Sequence, residues 1–129
     1  MIVIDSSAMV EALTGREADG ELLDALQGSV HAPHLLDVEV LSTLRGLLLS
    51  GKLRAEPADE ARADYLALRI TRYETRGIAE RIWGLRGNYT AYDASYLALA
   101  EALEAPLYTC DRKLSGGGHG VDVRVFPQG

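Results

Sequence analysis

The sequence predicts an α/β domain built on a mainly parallel sheet. Two observations lead there. Short apolar runs rich in β-branched residues are bounded by turn-forming residues, and longer segments with apolar residues at helical spacing stand between them. Their alternation along 129 residues fits one domain spanning residues 1–129.

Each element has a local reason. Met1 to Asp5 reads as a short strand, because Ile2, Val3 and Ile4 form a continuous β-branched run, the pattern of a strand buried on both faces. Asp5-Ser6-Ser7 offers N-cap chemistry for a helix through Leu13, which Thr14-Gly15 ends. Leu22, Leu23 and Leu26 mark a helix over 17–26 that Gly28 closes. Val30 to Pro33 reads as a brief strand or extended link, because Pro33 disfavours helix before it. The strongest helix spans 35–49 and stops at Ser50-Gly51. Pro57 suits a first helical turn, so 58–70 reads as helix, followed by a short strand over 71–74. Helices over 77–85 and 92–103 are ended by Gly87-Asn88 and by the approach to Pro106. Leu107 to Cys110 is a strand, 115–120 a glycine loop, and Val121 to Phe126 a terminal strand.

Composition narrows the function. Hydrophobic content of 47% and charged content of 25% are ordinary globular values, which excludes disordered, collagen-like and coiled-coil classes. No apolar run approaches the roughly 20 residues of a membrane span. The start of the chain has no basic region before Asp5, which argues against a secretory signal. One cysteine, Cys110, has no partner for an internal disulfide, so a reducing, cytoplasmic setting is expected. The net charge of −6 argues against a generic nucleic-acid coat. Charge is unevenly spread, however. Arginines 69, 72, 76, 81 and 86 cluster, and all basic residues except Lys52 and Lys113 are arginine, the side chain suited to bidentate phosphate or carboxylate contacts.

Four acids carry the chemistry. Asp5 and Asp111 each follow a strand, and ligands of open α/β sheets bind beyond the carboxyl ends of strands. Each also precedes a helical turn that it could simply cap. Glu39 lies in the 35–49 helix with no cation one turn away, on a small polar line through Ser42 and Gly46; a solvated helix face is the alternative. Asp93 shares a stripe with Tyr96, Leu97 and Ala100, again without a nearby cation, and a helix-terminal acid favoured by the helix dipole is the bland reading. Four converging carboxylates would repel one another. A hard divalent cation, Mg²⁺ or Mn²⁺, would relieve that repulsion, and such a site activates water for in-line displacement at a phosphodiester.

At these residues the sequence resembles the PIN-domain ribonucleases, and within them the VapC toxins of bacterial toxin–antitoxin pairs. Ile2-Val-Ile-Asp5-Ser-Ser7 resembles the family's first strand and acid. Pro33 to Arg45 resembles its glutamate-bearing helix, Thr90-Ala-Tyr-Asp93 to Glu101 its third-acid segment, and Leu107-Tyr-Thr-Cys-Asp111-Arg-Lys-Leu114 its last motif. All four occur in order across nearly the whole chain. The resemblance implies a three-layer α/β/α fold, a Mg²⁺/Mn²⁺-dependent RNA endonuclease, a homodimer, and neutralisation by a VapB-like antitoxin. It implies Asp5, Glu39, Asp93 and Asp111 as the acidic cluster, with Asp5 and Asp93 as direct metal ligands and Glu39 and Asp111 ligating directly or through water. Ser7 and Thr109 would orient carboxylates or waters. Ser42 departs from the asparagine that many relatives carry.

The remaining candidates divide between solvated surface and partner contact. Arg112 and Lys113 are candidate phosphate contacts beside Asp111, and the 69–86 arginines could track RNA or an acidic antitoxin. Trp83, with Ile82 and Leu85, reads as a core or dimer contact. His31, His34 and His119 lack the spacing of a zinc site. A catalytically idle protein that only binds RNA or an antitoxin is the rival from another class. A phospho-accepting receiver would need adjacent acids after its first strand, which Asp5-Ser6-Ser7 does not supply.

Overall fold

In the computed structural model, which describes residues 1–127, five parallel strands run in the order β3-β2-β1-β4-β5. They are β1 (Ile2–Ile4), β2 (Val30–Pro33), β3 (Thr71–Tyr73), β4 (Leu107–Thr109) and β5 (Val123–Val125). The chain winds outward from β1 through β2 to β3, then crosses back to lay β4 and β5 on the other side. The reversal between β1 and β4 is the position where this class of sheet opens a crevice. Register fixes what meets there: Val3 and Ile4 pair with Leu107 and Tyr108, so the residues after both strands emerge side by side.

Helices cover both faces. They are α1 (Ser6–Thr14), α2 (Gly20–Ala25), α3 (Leu35–Leu49), α4 (Ala55–Ala67), α5 (Ala79–Gly84) and α6 (Ala91–Leu103). Helix α6 lies against β1, β2 and β4 with α5 beside it, while α1, α3 and α4 pack on one another. The central strands are buried throughout, and so is every residue of α6 from Ala94 to Ala100. A helix apolar on all sides is a core element, and here it delivers the acid in its first turn, Asp93, to the crevice.

Several boundaries differ from the pattern: α4 ends at Ala67 rather than 70, β4 at Thr109 rather than Cys110, and the terminal strand is Val123–Val125 rather than 121–126. Three further differences have a local reason. Helix α2 begins at Gly20 rather than 17, because the Asp19 side chain caps it by accepting from the Glu21 amide at 2.8 Å. Helix α4 begins at Ala55, one turn early, since Pro57 is tolerated within a first turn whose amides need no helical partner. The 77–85 segment divides into a 3-10 turn (Thr75–Ile78) and the short α5. Trp83 is not a core residue: it is 66% exposed, with the Arg86 guanidinium 4.7 Å from its ring centroid, whereas Leu85 is buried. No helix among the described residues is long and apolar enough to cross a membrane.

Candidate active site

Asp5 is the anchor. It caps α1, with Oδ1 accepting from the Ala8 amide at 3.0 Å and from Ser7 Oγ at 2.7 Å. Its Oδ2 accepts from Thr109 Oγ1 at 2.5 Å. Both hydroxyls also accept from the backbone beyond β4: Thr109 Oγ1 from the Asp111 amide at 3.0 Å, Ser7 Oγ from the Cys110 amide at 2.8 Å. Ser7 and Thr109 thus orient the first acid and, at the same time, the backbone that carries the last one. Thr109 has no exposed surface, so its hydroxyl has no water to fall back on.

The other acids arrive from helices and a turn. Glu39, on α3, accepts from the Tyr96 hydroxyl of α6 at 2.5 Å. Thr90 caps α6 by accepting from the Asp93 amide at 3.2 Å, which fixes the turn carrying Asp93. Asp111 caps a 3-10 turn (Arg112–Ser115), accepting from the Lys113 amide at 3.0 Å. Lys113 Nζ lies 3.7 Å from Asp111 Oδ2 and is 76% exposed, so this ion pair is a weak restraint.

The four carboxylates act on one another. Burial pushes the Asp5 carboxyl up; its three hydrogen bonds pull it back, the charge of Asp93 adds to the rise, and the net shift is upward. Burial also raises Glu39, helped by the charges of Asp5 and Asp93 and opposed by the Tyr96 hydroxyl. Asp93 is raised by burial and by Asp111, and the charge of Lys113 opposes the rise. One electrostatic field therefore links all four residues at the switch between β1 and β4. It is a shared field rather than a finished coordination sphere: among the described residues, no three His, Cys, Asp or Glu side chains form a group that could hold a metal ion as they stand. The donor set still fits a hard cation. All the donors are oxygen, burial and their neighbours' negative charge hold three of them above the ordinary carboxylate range, and Mg²⁺ keeps several waters while taking only one or two carboxylates directly.

The candidate phosphate contacts separate. Lys113 opens onto a cavity of 490 Å³ that Asp93 also lines. Arg112 opens instead onto a cavity of 720 Å³ with Glu21, Val123 and Arg124, which none of the four acids lines. The arginine cluster is partly spent inside the fold. Arg72 grips Asp37 with Nε at 2.9 Å, and Arg81 grips Glu101 at 2.7 Å. Cys110 is half-buried, its thiol pushed up to about 11 by burial first and by Asp5 and Glu11 after it. His31 bridges Ser29 and Tyr73, and His119 contacts the Leu114 carbonyl through Nε2. Tyr96 is the polar contact of Glu39 that the sequence did not assign. Its signal was position, three residues from Asp93 on the same face of α6.

A PIN domain family model matches residues 2–117. A VapC ribonuclease of Mycobacterium bovis is 44% identical over 99% of this chain and 100% of its own length. Ribonuclease VapC12 of Mycobacterium tuberculosis is 33% identical over 97% and 98% of the two chains. Among solved structures, that of Mycobacterium tuberculosis VapC20, described as a Sarcin-Ricin loop cleaving toxin, superposes with a TM-score of 0.64 at 20% identity, covering 96% of this chain and 99% of that one.

Proposed function

The chain belongs to the PIN-domain family and, within it, to the VapC-type ribonuclease toxins, and from that premise we propose that it is a divalent-metal-dependent RNA endonuclease whose site is Asp5, Glu39, Asp93 and Asp111. The single observation that supports this most is the mutual repulsion of these acids at the mouth between β1 and β4, offset only weakly by the exposed Lys113. A fold gains nothing in stability by holding such charges together. An oxygen-seeking cation and the chemistry it brings account for them.

Asp5 and Asp93 are the direct ligands in this reading, with Glu39 and Asp111 completing the site directly or through water. A bound Mg²⁺ or Mn²⁺ would neutralise the acids, polarise the phosphodiester and make water a better nucleophile. The chain's own groups do the positioning. Thr109 and Ser7 hold both oxygens of Asp5, so its carboxylate enters the site in one orientation. Tyr96 holds Oε1 of Glu39 and leaves the second oxygen to the site. Lys113, mobile on its long stem and close to Asp111, receives the phosphate of the incoming strand. Arg112 faces the neighbouring cavity and meets RNA only where the strand continues past β5. Hydrolysis by water leaves 3′-hydroxyl and 5′-phosphate ends. A VapB-like antitoxin, a homodimer and a cytoplasmic setting belong to the same proposal, through kinship with the VapC proteins.

The test is cleavage of total cellular RNA by the purified, partner-free protein in Mg²⁺, in Mn²⁺ and in EDTA, beside Asp93→Asn. Discrete fragments that require both the cation and the aspartate are expected. RNA binding without cleavage in every cation would favour the idle, binding-only protein instead.

A further inference from the structure

The cavity beside Asp93 is bounded by a loop with an unusual degree of fixation. Six of its lining residues are Asn88 and Tyr89 from the turn before α6, Asp93 from the first turn of α6, and Lys113, Gly116 and Gly117 from the segment after β4. A run such as Ser115-Gly-Gly-Gly-His-Gly120 has the backbone freedom to collapse or wander. Here it is held from several sides. The Tyr89 hydroxyl donates to the Gly117 carbonyl at 2.9 Å, Arg81 Nη2 to the Gly118 carbonyl at 3.0 Å, and the Gly120 amide to Glu101 Oε2 at 3.2 Å. His119 packs its ring 5.7 Å from that of Tyr89, accepts from the Val121 amide through Nδ1 at 3.1 Å, and meets the Leu114 carbonyl through Nε2.

Glycine is favoured where the loop meets the turn, by close approach at Gly116 and by backbone conformation at Gly118. A Cβ on Gly116 would stand 3.0 Å from the Tyr89 hydroxyl oxygen. Gly118 has φ +99°, and a Cβ there would stand 2.9 Å from Asn88 Nδ2. The loop is therefore shaped against Asn88 and Tyr89, and the space between them is built rather than left over. It is 490 Å³, within the range of small-ligand sites and ample for a nucleobase.

We propose that this cavity receives one unpaired nucleobase of the RNA strand, next to the phosphate presented to the acid cluster, and that Asn88 reads that base. The proposal rests on the nuclease reading above and adds to it a determinant of sequence preference. The lining favours a base over a phosphate. Asp93 and Lys113 are the charged members of the lining, on which the phosphate and its cation depend, and Asn88, Tyr89, Thr90, Gly116 and Gly117 are uncharged, which suits a base. The Asn88 amide presents both donors and an acceptor, the complement of a base edge, and Tyr89 presents aromatic surface of the kind on which single-stranded bases stack. The base must be unpaired, because a duplex keeps its bases stacked and their pairing edges occupied.

The experiment separates base reading from cleavage. A pool of short single-stranded RNAs of random sequence is bound by the full chain in Ca²⁺, and the retained RNA is sequenced for wild type, Asn88→Ala and Gly117→Val. Gly117 lines the cavity, and a Cβ there meets no heavy atom within 4 Å, so its substitution narrows the space without forcing the backbone. Wild type is expected to enrich one base at one position. Asn88→Ala should lower that enrichment about five- to tenfold, the discrimination of one side-chain pairing, and Gly117→Val should lower or change it. An even base distribution in wild type, or an enrichment that both variants keep, overturns the proposal. Cleavage of the same pool in Mg²⁺ or Mn²⁺ is scored separately. A protein that selects the base in this way but cleaves nothing retains the pocket and loses the nuclease reading.

Discussion

Asp37 and Glu39 sit two residues apart on α3 and meet opposite environments. Asp37 accepts from the Tyr65 hydroxyl at 2.5 Å and from Arg72 through both Nε and Nη2. Burial pushes its carboxyl up, but Arg72 and Tyr65 together outweigh burial and hold it below the ordinary value. Glu39 also accepts from a tyrosine, Tyr96, at the same distance. It has no arginine, it faces Asp5 and Asp93, and its carboxyl is held above the ordinary value. With a tyrosine on each acid, the difference lies in burial and in the neighbouring charge, a guanidinium beside Asp37 and two carboxylates near Glu39. Where the fold needs an acid for its own cohesion it provides an arginine; among the described residues it provides none for Glu39, where the proposed cation would sit.

Substitution at the two sites should pull stability and activity apart. Asp93→Asn is expected to cut RNA cleavage by more than about a hundredfold, since the loss of a mere outer partner of a metal ligand already costs about 10–100-fold. Its melting temperature in metal-free buffer should hold or rise, because a repelled charge has been removed. Asp37→Asn should do the reverse. It should leave cation binding intact and destabilise by about 1–2 kcal/mol, the strength of a charged hydrogen-bonded pair discounted for its partial exposure, seen as a fall of roughly 3–8 °C. Equal melting losses in the two variants would erase the contrast.

Thr109→Val comes next in size. The hydroxyl serves Asp5 Oδ2 and the Asp111 amide at once, and valine keeps the volume while leaving both without that partner. Cleavage should fall about 10–100-fold with a matching loss of cation affinity, read by activity assays and calorimetry. An unchanged rate would mean that the orientation of Asp5 is not set from β4.

The smallest effect is on the pH dependence of stability without metal. Asp37 is depressed, so its contribution is full above the ordinary carboxylate range and is lost as pH falls through its lowered folded value. Asp5, Glu39 and Asp93 are raised, so their contribution is full below that range and is lost as pH rises through their folded values. Melting curves from about pH 3 to about pH 8 should therefore show a shallower acid-side fall in Asp37→Asn and a shallower upper-side fall in Asp93→Asn, the remainder coming from Glu101 on the one side and from Asp5 and Glu39 on the other. Curves that move in parallel would contradict this.

How much of this was legible in the sequence depends on the range of each interaction. The β-branched run within 1–5 and the helix over 35–49 announce themselves locally; the structure places α3 at those same residues and β1 at Ile2–Ile4, one residue shorter at each end. The four acids were visible because they stand at element ends or on helices without local cations. That Asp5, Glu39, Asp93 and Asp111 share one field depends on strand order, which no local pattern states. The Asp37 cluster was invisible for a related reason: Tyr65 and Arg72 lie 28 and 35 residues away in sequence. Arg72 and Arg81 looked like partner-facing charges and instead close internal pairs. Of the two readings of Trp83, core or dimer contact, its exposure removes the first, because composition cannot tell the exposed side of a short helix from its packed one.

The most direct test of the central claim is calorimetric titration of Mn²⁺ into wild type, Asp93→Asn and Asp37→Asn. The acid cluster predicts binding in wild type and in Asp37→Asn, and binding weakened beyond about a hundredfold in Asp93→Asn. Absence of binding in wild type, or equal binding in all three proteins, would contradict the claim that the acids form a cation site.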